Sequence, residues 1–157
     1  MDKVIVTALL VIAGVTAAAL VVTTLTPIVG KSSRSVVESQ KAMSLRIQTD
    51  ITVIQVHSST ATTTKAWVKS FGNSNVDFIE QSDLFITSVD RSLFIPLTNG
   101  SGADNNWKTD KTGSWTKGET VEFEMTLNNA NPLVKGTTYV FSFSTPNGIA
   151  SEYEFTY

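Results

Sequence analysis

The residues that could do chemistry in this chain are few and far apart. His57 is its one histidine, so a single copy builds neither a histidine metal site nor a hydrolase triad with a histidine base. It reads as a polar residue where a helix gives way to a sheet. Asp104, Asn105, Asn106 and Asp110 offer oxygen ligands to a hard cation, but their spacing lacks the EF-hand pattern and a solvated loop accounts for them. Glu122 and Glu124 share one face of a strand, where repulsion keeps both solvated rather than paired for acid–base work. Asn99-Gly100-Ser101 is the sole N-x-S/T sequon; Asn99 is either an N-glycan acceptor in an exported protein or a residue of a bare turn. No catalytic residue, metal site or cofactor site is assigned, and the chain reads as a non-enzyme.

The elements around these residues are more telling. Between Asp2-Lys3 and Lys31 there is no charge, and Val4 to Val22 reads VIVTALLVIAGVTAAALVV. At the helical rise this uncharged run spans roughly 40 Å, more than the hydrocarbon thickness of a bilayer. A surface helix keeps a polar stripe. Here apolar side chains go all the way round, which requires burial in lipid or inside a protein assembly. Gly14 with Ala18, and Ala13 with Ala17, form small-x-x-x-small pairs that let two such helices approach closely. Pro27 predicts a kink or a loosened turn near Thr23 to Thr26, with threonine hydroxyls serving the carbonyls it frees.

Charge is unevenly divided. Residues 1 to 30 are neutral, 31 to 50 carry net +2, and 51 to 157 hold seven basic and eleven acidic residues, net −4. An acidic C-terminal part argues against nucleic acid as a partner. One lysine precedes the apolar run and Lys31, Arg34 and Lys41 follow it, the wrong side for an uncleaved anchor of an exported domain. Either the β part stays inside the cell or a basic leader once preceded residue 1. The second is more economical and makes Met1 a mature N-terminus.

Past Gly30, Val36, Met43, Ile47, Ile51 and Ile54 recur at helical spacings, predicting an amphipathic stalk to about residue 50; Ile51 to His57 alternates well enough to be the first strand instead. The rest is β-rich. Expected strands are Ala66–Phe71, Leu84–Val89, Leu93–Leu97 (stopped by Pro96), Thr120–Leu127, Thr138–Ser144 and Glu152–Tyr157, with residues 98 to 114 a long polar loop. Pro146-Asn147-Gly148 is a hairpin signal. About seven short strands give an α+β chain: a long N-terminal hydrophobic helix with its stalk over 1–50, then an antiparallel immunoglobulin-like β-sandwich over 51–157. Trp67 is expected in its core and Trp107 at a subunit contact. Cysteine is absent, so packing and sheet hydrogen bonds must hold the domain.

The order of an apolar helix, a stalk ending RIQTDITVIQV and a β-sandwich resembles the type IV pilin superfamily, and within it the archaellins. Ile5 stands where bacterial type IV pilins carry glutamate, which fits the archaellins better. KAWVKSFGNSNV, SDLFITSV, WTKGETVEF and TPNGIASEYEF are similar to the immunoglobulin-like domains of archaellum stator proteins, though Ser70-Phe71-Gly72 departs from their Asn-x-Gly. The resemblance implies a subunit of an extracellular, archaellum-type filament used for swimming. It is inserted in the cytoplasmic membrane before assembly, processed by a prepilin peptidase, polymerised by an archaellum-type machinery, and partnered by copies of itself in a helical homopolymer. Core contacts are then expected at Val4, Ile5, Leu9, Leu10, Ile12, Ala13, Gly14, Val15, Ala17, Ala18, Leu20, Val21 and Leu25. The alternatives are a membrane-anchored stator or envelope adaptor, and a static adhesion pilus.

Overall fold

The computed structural model describes residues 2–102 and 104–157; Met1, read above as a processed N-terminus, lies outside them. One helix, α1, covers Asp2–Gln48. Eight strands follow: β1 Ile51–Thr60, β2 Thr63–Ser70, β3 Asp83–Ser88, β4 Phe94–Asn99, β5 Asn106–Lys108, β6 Thr120–Thr126, β7 Thr138–Ser144 and β8 Ala150–Thr156. A 3-10 turn, Ile79–Gln81, precedes β3. Compactness separates the helix up to Met43 from a β unit running Ser44–Tyr157, so the last helical turn belongs with the strands.

The strands hydrogen-bond in the order β1-β2-β6-β5-β4-β3-β7-β8. Every pair is antiparallel except β4 with β5. The two end strands approach each other, and Val53 N–H donates to Ser151 Oγ at 3.1 Å. The sheet is therefore nearly closed and sandwich-like, and the chain is α+β.

Alternation sets what lies inside. Val121, Phe123 and Met125 of β6 and Tyr139, Phe141 and Phe143 of β7 are buried, as period-two burial requires. Phe123 and Phe143 meet at 4.8 Å between ring centroids; Trp107 lies 5.6 Å from Phe123 and Trp115 lies 5.9 Å from Phe143. These rings form one aromatic cluster in a core whose chain has no cysteine.

Several expectations are corrected. Trp107 is 1% exposed and sits in the core, while Trp67 is only half-buried. Lys65, Trp67 and Lys69 share one parity of β2, and Ala66 and Val68 take the inside. Residues 98 to 114 are not one loop, since β5 forms there and Thr98 and Asn99 pair with Asn106 and Trp107. Pro96 does not end its strand; it lies within β4 opposite Phe85. The other edge of β4 is paired only at Thr98 and Asn99, which leaves room for a residue with no N–H. Of the two readings left open for Ile51 to His57, the strand is the one found, and Ile51 and Ile54 lie in β1. Glu122 is bound by Lys65 at 2.6 Å and Glu124 by Lys108 at 3.5 Å, so both glutamates are paired.

Helix and sheet join within the β unit. Asn73 and Ser74 N–H donate to the Gln48 carbonyl at 2.8 and 3.1 Å, and Phe71 and Gly72 N–H donate to that of Asp50 at 2.8 and 3.0 Å. Thr49 Oγ1 donates to Leu45 O and accepts from Asn147 Nδ2; Arg46 Nη2 donates to Gly148 O at 3.1 Å. The bonds from Asn73 and Ser74 satisfy the orphan carbonyl of Gln48 at the helix end. A Cβ on Gly72 would lie 2.5 Å from Asp50 N and Gln48 O, so only glycine fits.

Candidate assembly surface

The threonine side chains in the uncharged stretch of the helix, Val4 to Gly30, are turned to its own backbone. Thr7 Oγ1 donates to Lys3 O at 2.8 Å, Thr16 to Ile12 O at 2.9 Å, Thr23 to Ala19 O at 3.0 Å, Thr24 to Leu20 O at 2.8 Å and Thr26 to Val22 O at 2.7 Å. Thr7 and Thr16 lie on opposite sides, about 180° apart at the helical angle. No polar stripe results, and these hydroxyls need no water. The helix is unbroken through Pro27. The carbonyl that Pro27 leaves without an intrahelical donor is that of Thr23, and the threonine bonds above end on carbonyls of the preceding turn instead.

No helix residue is buried. Val4, Ile5, Leu9, Leu10, Ile12, Val15, Leu20, Val21 and Leu25 are 51–74% exposed. Ala13, Ala17 and Ala18 are exposed too, and a Cβ on Gly14 would meet nothing within 4 Å. The fold brings none of these side chains into its core. Covering a dozen such side chains stabilises by about 20–35 kcal/mol at ~1.5–3 kcal/mol each, several times the stability of a small domain. Such a surface is complete only when something apolar surrounds it. By length and composition the helix could also cross a membrane.

Two of the polar candidates cross-link the β unit. Asn105 Oδ1 accepts from Asn128 N–H at 2.9 Å and Asn106 Oδ1 from Thr98 Oγ1 at 2.9 Å. Those side chains tie β4, β5 and the end of β6. His57 is exposed on β1 opposite Lys65. Asn99 stands at the end of β4 with Nδ2 donating to Glu80 O at 3.1 Å. Among the described residues no cluster of three acids or histidines could hold a metal. Hydrogen bonding to Glu122 raises the Lys65 pKa above its ordinary value. Lys111 and the Thr116 N–H depress that of Glu119, and Ser88 and Ser92 depress that of Asp90.

Two surface features were missed by the sequence reading. Phe78 is 63% exposed with φ 57°, a left-handed conformation unusual for a bulky residue. Phe94 is exposed beside Phe85 on the outside of the sheet. Period two was the available signal for Phe94, since Ile95 and Leu97 take the inside.

Three solved structures share this fold. The archaeal flagellum of Methanospirillum hungatei strain JF1 superposes with TM-score 0.67 at 14% identity, over 95% of this chain and 90% of that one. The archaellum periplasmic stator protein FlaG from Sulfolobus acidocaldarius gives 0.60 at 20% identity, over 68% of this chain and 99% of that one. The FlaF and FlaG stator complex of the same organism gives 0.60 at 20%, over 67% and 87%. At these identities the likeness is one of fold. No curated protein matches the sequence. The sequence profile described as archaeal-type flagellin matches residues 2–155, nearly the whole length, and the chain belongs to the archaeal-type flagellin family.

Proposed function

We propose that the helices of many copies pack together as the core of a helical filament whose outer layer is the β unit. The chain is a structural subunit of an extracellular archaellum-type filament used for swimming. The observation that carries the packing proposal is the stretch from Val4 to Gly30, apolar all round, in a helix with no buried residue. Its core contacts are Val4, Ile5, Leu9, Leu10, Ile12, Val15, Leu20, Val21 and Leu25, with Ala13, Gly14, Ala17 and Ala18 where neighbours approach most closely. Pro27 bends the helix to follow its neighbours. Before assembly the same surface holds the subunit in the cytoplasmic membrane, where a prepilin peptidase and an archaellum-type machinery act on it. Asn99 is the site at which an N-glycan would attach; attachment replaces one of the two Nδ2 hydrogens and leaves the other to donate.

Leu10→Lys tests the core: filaments on the cell surface should vanish by electron microscopy while the β unit still folds. Normal filaments from that variant would sink the packing model. A membrane-anchored stator or envelope adaptor predicts instead a low-copy protein extracted by detergent as monomer or dimer. Recovery as the dominant component of sheared filaments excludes that reading. Filaments that never turn on tethered cells mark a static adhesion pilus.

A further inference from the structure

The two outer faces of the β unit are unlike. The half built from β3, β4, β7 and β8 turns Phe85, Phe94, Pro96 and Val140 away from the core. Strand register gathers them: Phe85 faces Pro96, and Thr87 faces both Phe94 and Val140. Phe94 is 62% exposed, its ring 5.5 Å from that of Phe85. The charges on these four strands are Asp83, Glu152 and Glu154, all exposed, with no lysine or arginine. This is an aromatic patch with an acidic border.

The half built from β1, β2, β5 and β6 presents Trp67 between Lys65 and Lys69, with Gln55 and Glu122 beside it. Its strands hold three lysines and two glutamates, net +1 against −3 opposite. Lys65 and Lys108 are occupied by Glu122 and Glu124. Lys69 has no acid partner among the described residues, and its Nζ stands 5.2 Å from the centre of the Phe71 ring.

A helical polymer of identical copies needs two different, complementary surfaces on each copy, so that addition continues without closing. Aromatic centres with charged rims are the composition of such contacts. We propose that, in the outer layer of the filament, the Phe94 face of one copy docks on the Trp67–Lys69 face of the next. The proposal rests on the reading of this chain as a homopolymer subunit. Phe94 covers the indole of Trp67, and Glu152 or Glu154 answers Lys69.

The absence of cysteine makes the test clean. Filaments of the full-length chain carrying both Lys69→Cys and Phe94→Cys, treated with a short bismaleimide, should give a ladder of covalent multimers. Each single variant should stay monomeric. Filaments without a ladder overturn the contact alone, and dimers from a single variant overturn its heterologous character. Absence of filaments from the unaltered chain overturns the homopolymer reading and the contact with it. In a second measurement, Lys69→Glu should raise the subunit concentration coexisting with filaments several-fold at low salt, and Glu152→Lys or Glu154→Lys added to it should restore it. An unchanged value in Lys69→Glu overturns the proposal. So does a Phe94→Cys thiol that reacts equally fast in filaments and in dissociated subunits, which leaves that face to a partner other than a copy.

Discussion

The helix and the β unit solve the problem of apolar surface in opposite ways. In the β unit, Phe123, Phe141, Phe143, Trp107 and Trp115 are covered by their own chain. In the helix nothing is. The β unit is therefore an object with its own stability. The helix carries an apolar surface that its own chain leaves exposed, so, on the packing proposal, damage to one should appear as unfolding and damage to the other as failed assembly.

The sharpest way to break that contrast is Leu10→Lys. It should abolish filaments and leave the melting of the β unit unchanged by circular dichroism, because Leu10 is exposed and belongs to the other unit. Phe143→Ala is the converse. It empties space between Phe123 and Trp115, and should cost about 3–5 kcal/mol in denaturant titration, enough to unfold a marginal domain. Gly72→Ala comes next, at about 1–3 kcal/mol from forcing a methyl group against the Asp50 amide and the Gln48 carbonyl. Thr49→Val should follow at about 1–2 kcal/mol, since it strips Asn147 Nδ2 of its acceptor. The smallest effect is titration. Glu119 has a depressed pKa, so its bonds to Lys111 and Thr116 add stability above its unfolded value near 4.5, and that addition fades as pH falls through the lower folded value. Glu119→Gln should melt below the parent chain at pH 6, and the gap should narrow as pH falls below 4.5.

How much of this was legible in the sequence depended on whether each pattern had one physical reading. An uncharged run from Val4 to Gly30 has no folded solution inside a small chain, so its role in assembly could be argued from composition. Val121, Phe123 and Met125, alternating with glutamates, could be placed because charge and burial conflict. Trp67 was misplaced for want of the same test: it shares parity with Lys65 and Lys69, and that parity put it outside. The strand Asn106–Lys108 had no signal, because three residues held by Thr98 and Asn99 on one side and β6 on the other depend on partners distant in the chain. The pairing of Glu122 with Lys65 was hidden for the same reason, since repulsion along a strand is local and attraction across strands needs the register. The outer patch around Phe94 lay beyond a reading that looked for cores.

The bonds at the end of the helix have a mechanical meaning. Four backbone N–H groups, of Phe71, Gly72, Asn73 and Ser74, together with Arg46 and Asn147, hold residues 46 to 50 from two separate loops. A twist or pull arriving along the chain at Gln48 is divided among bonds loaded side by side, and no single one opens first.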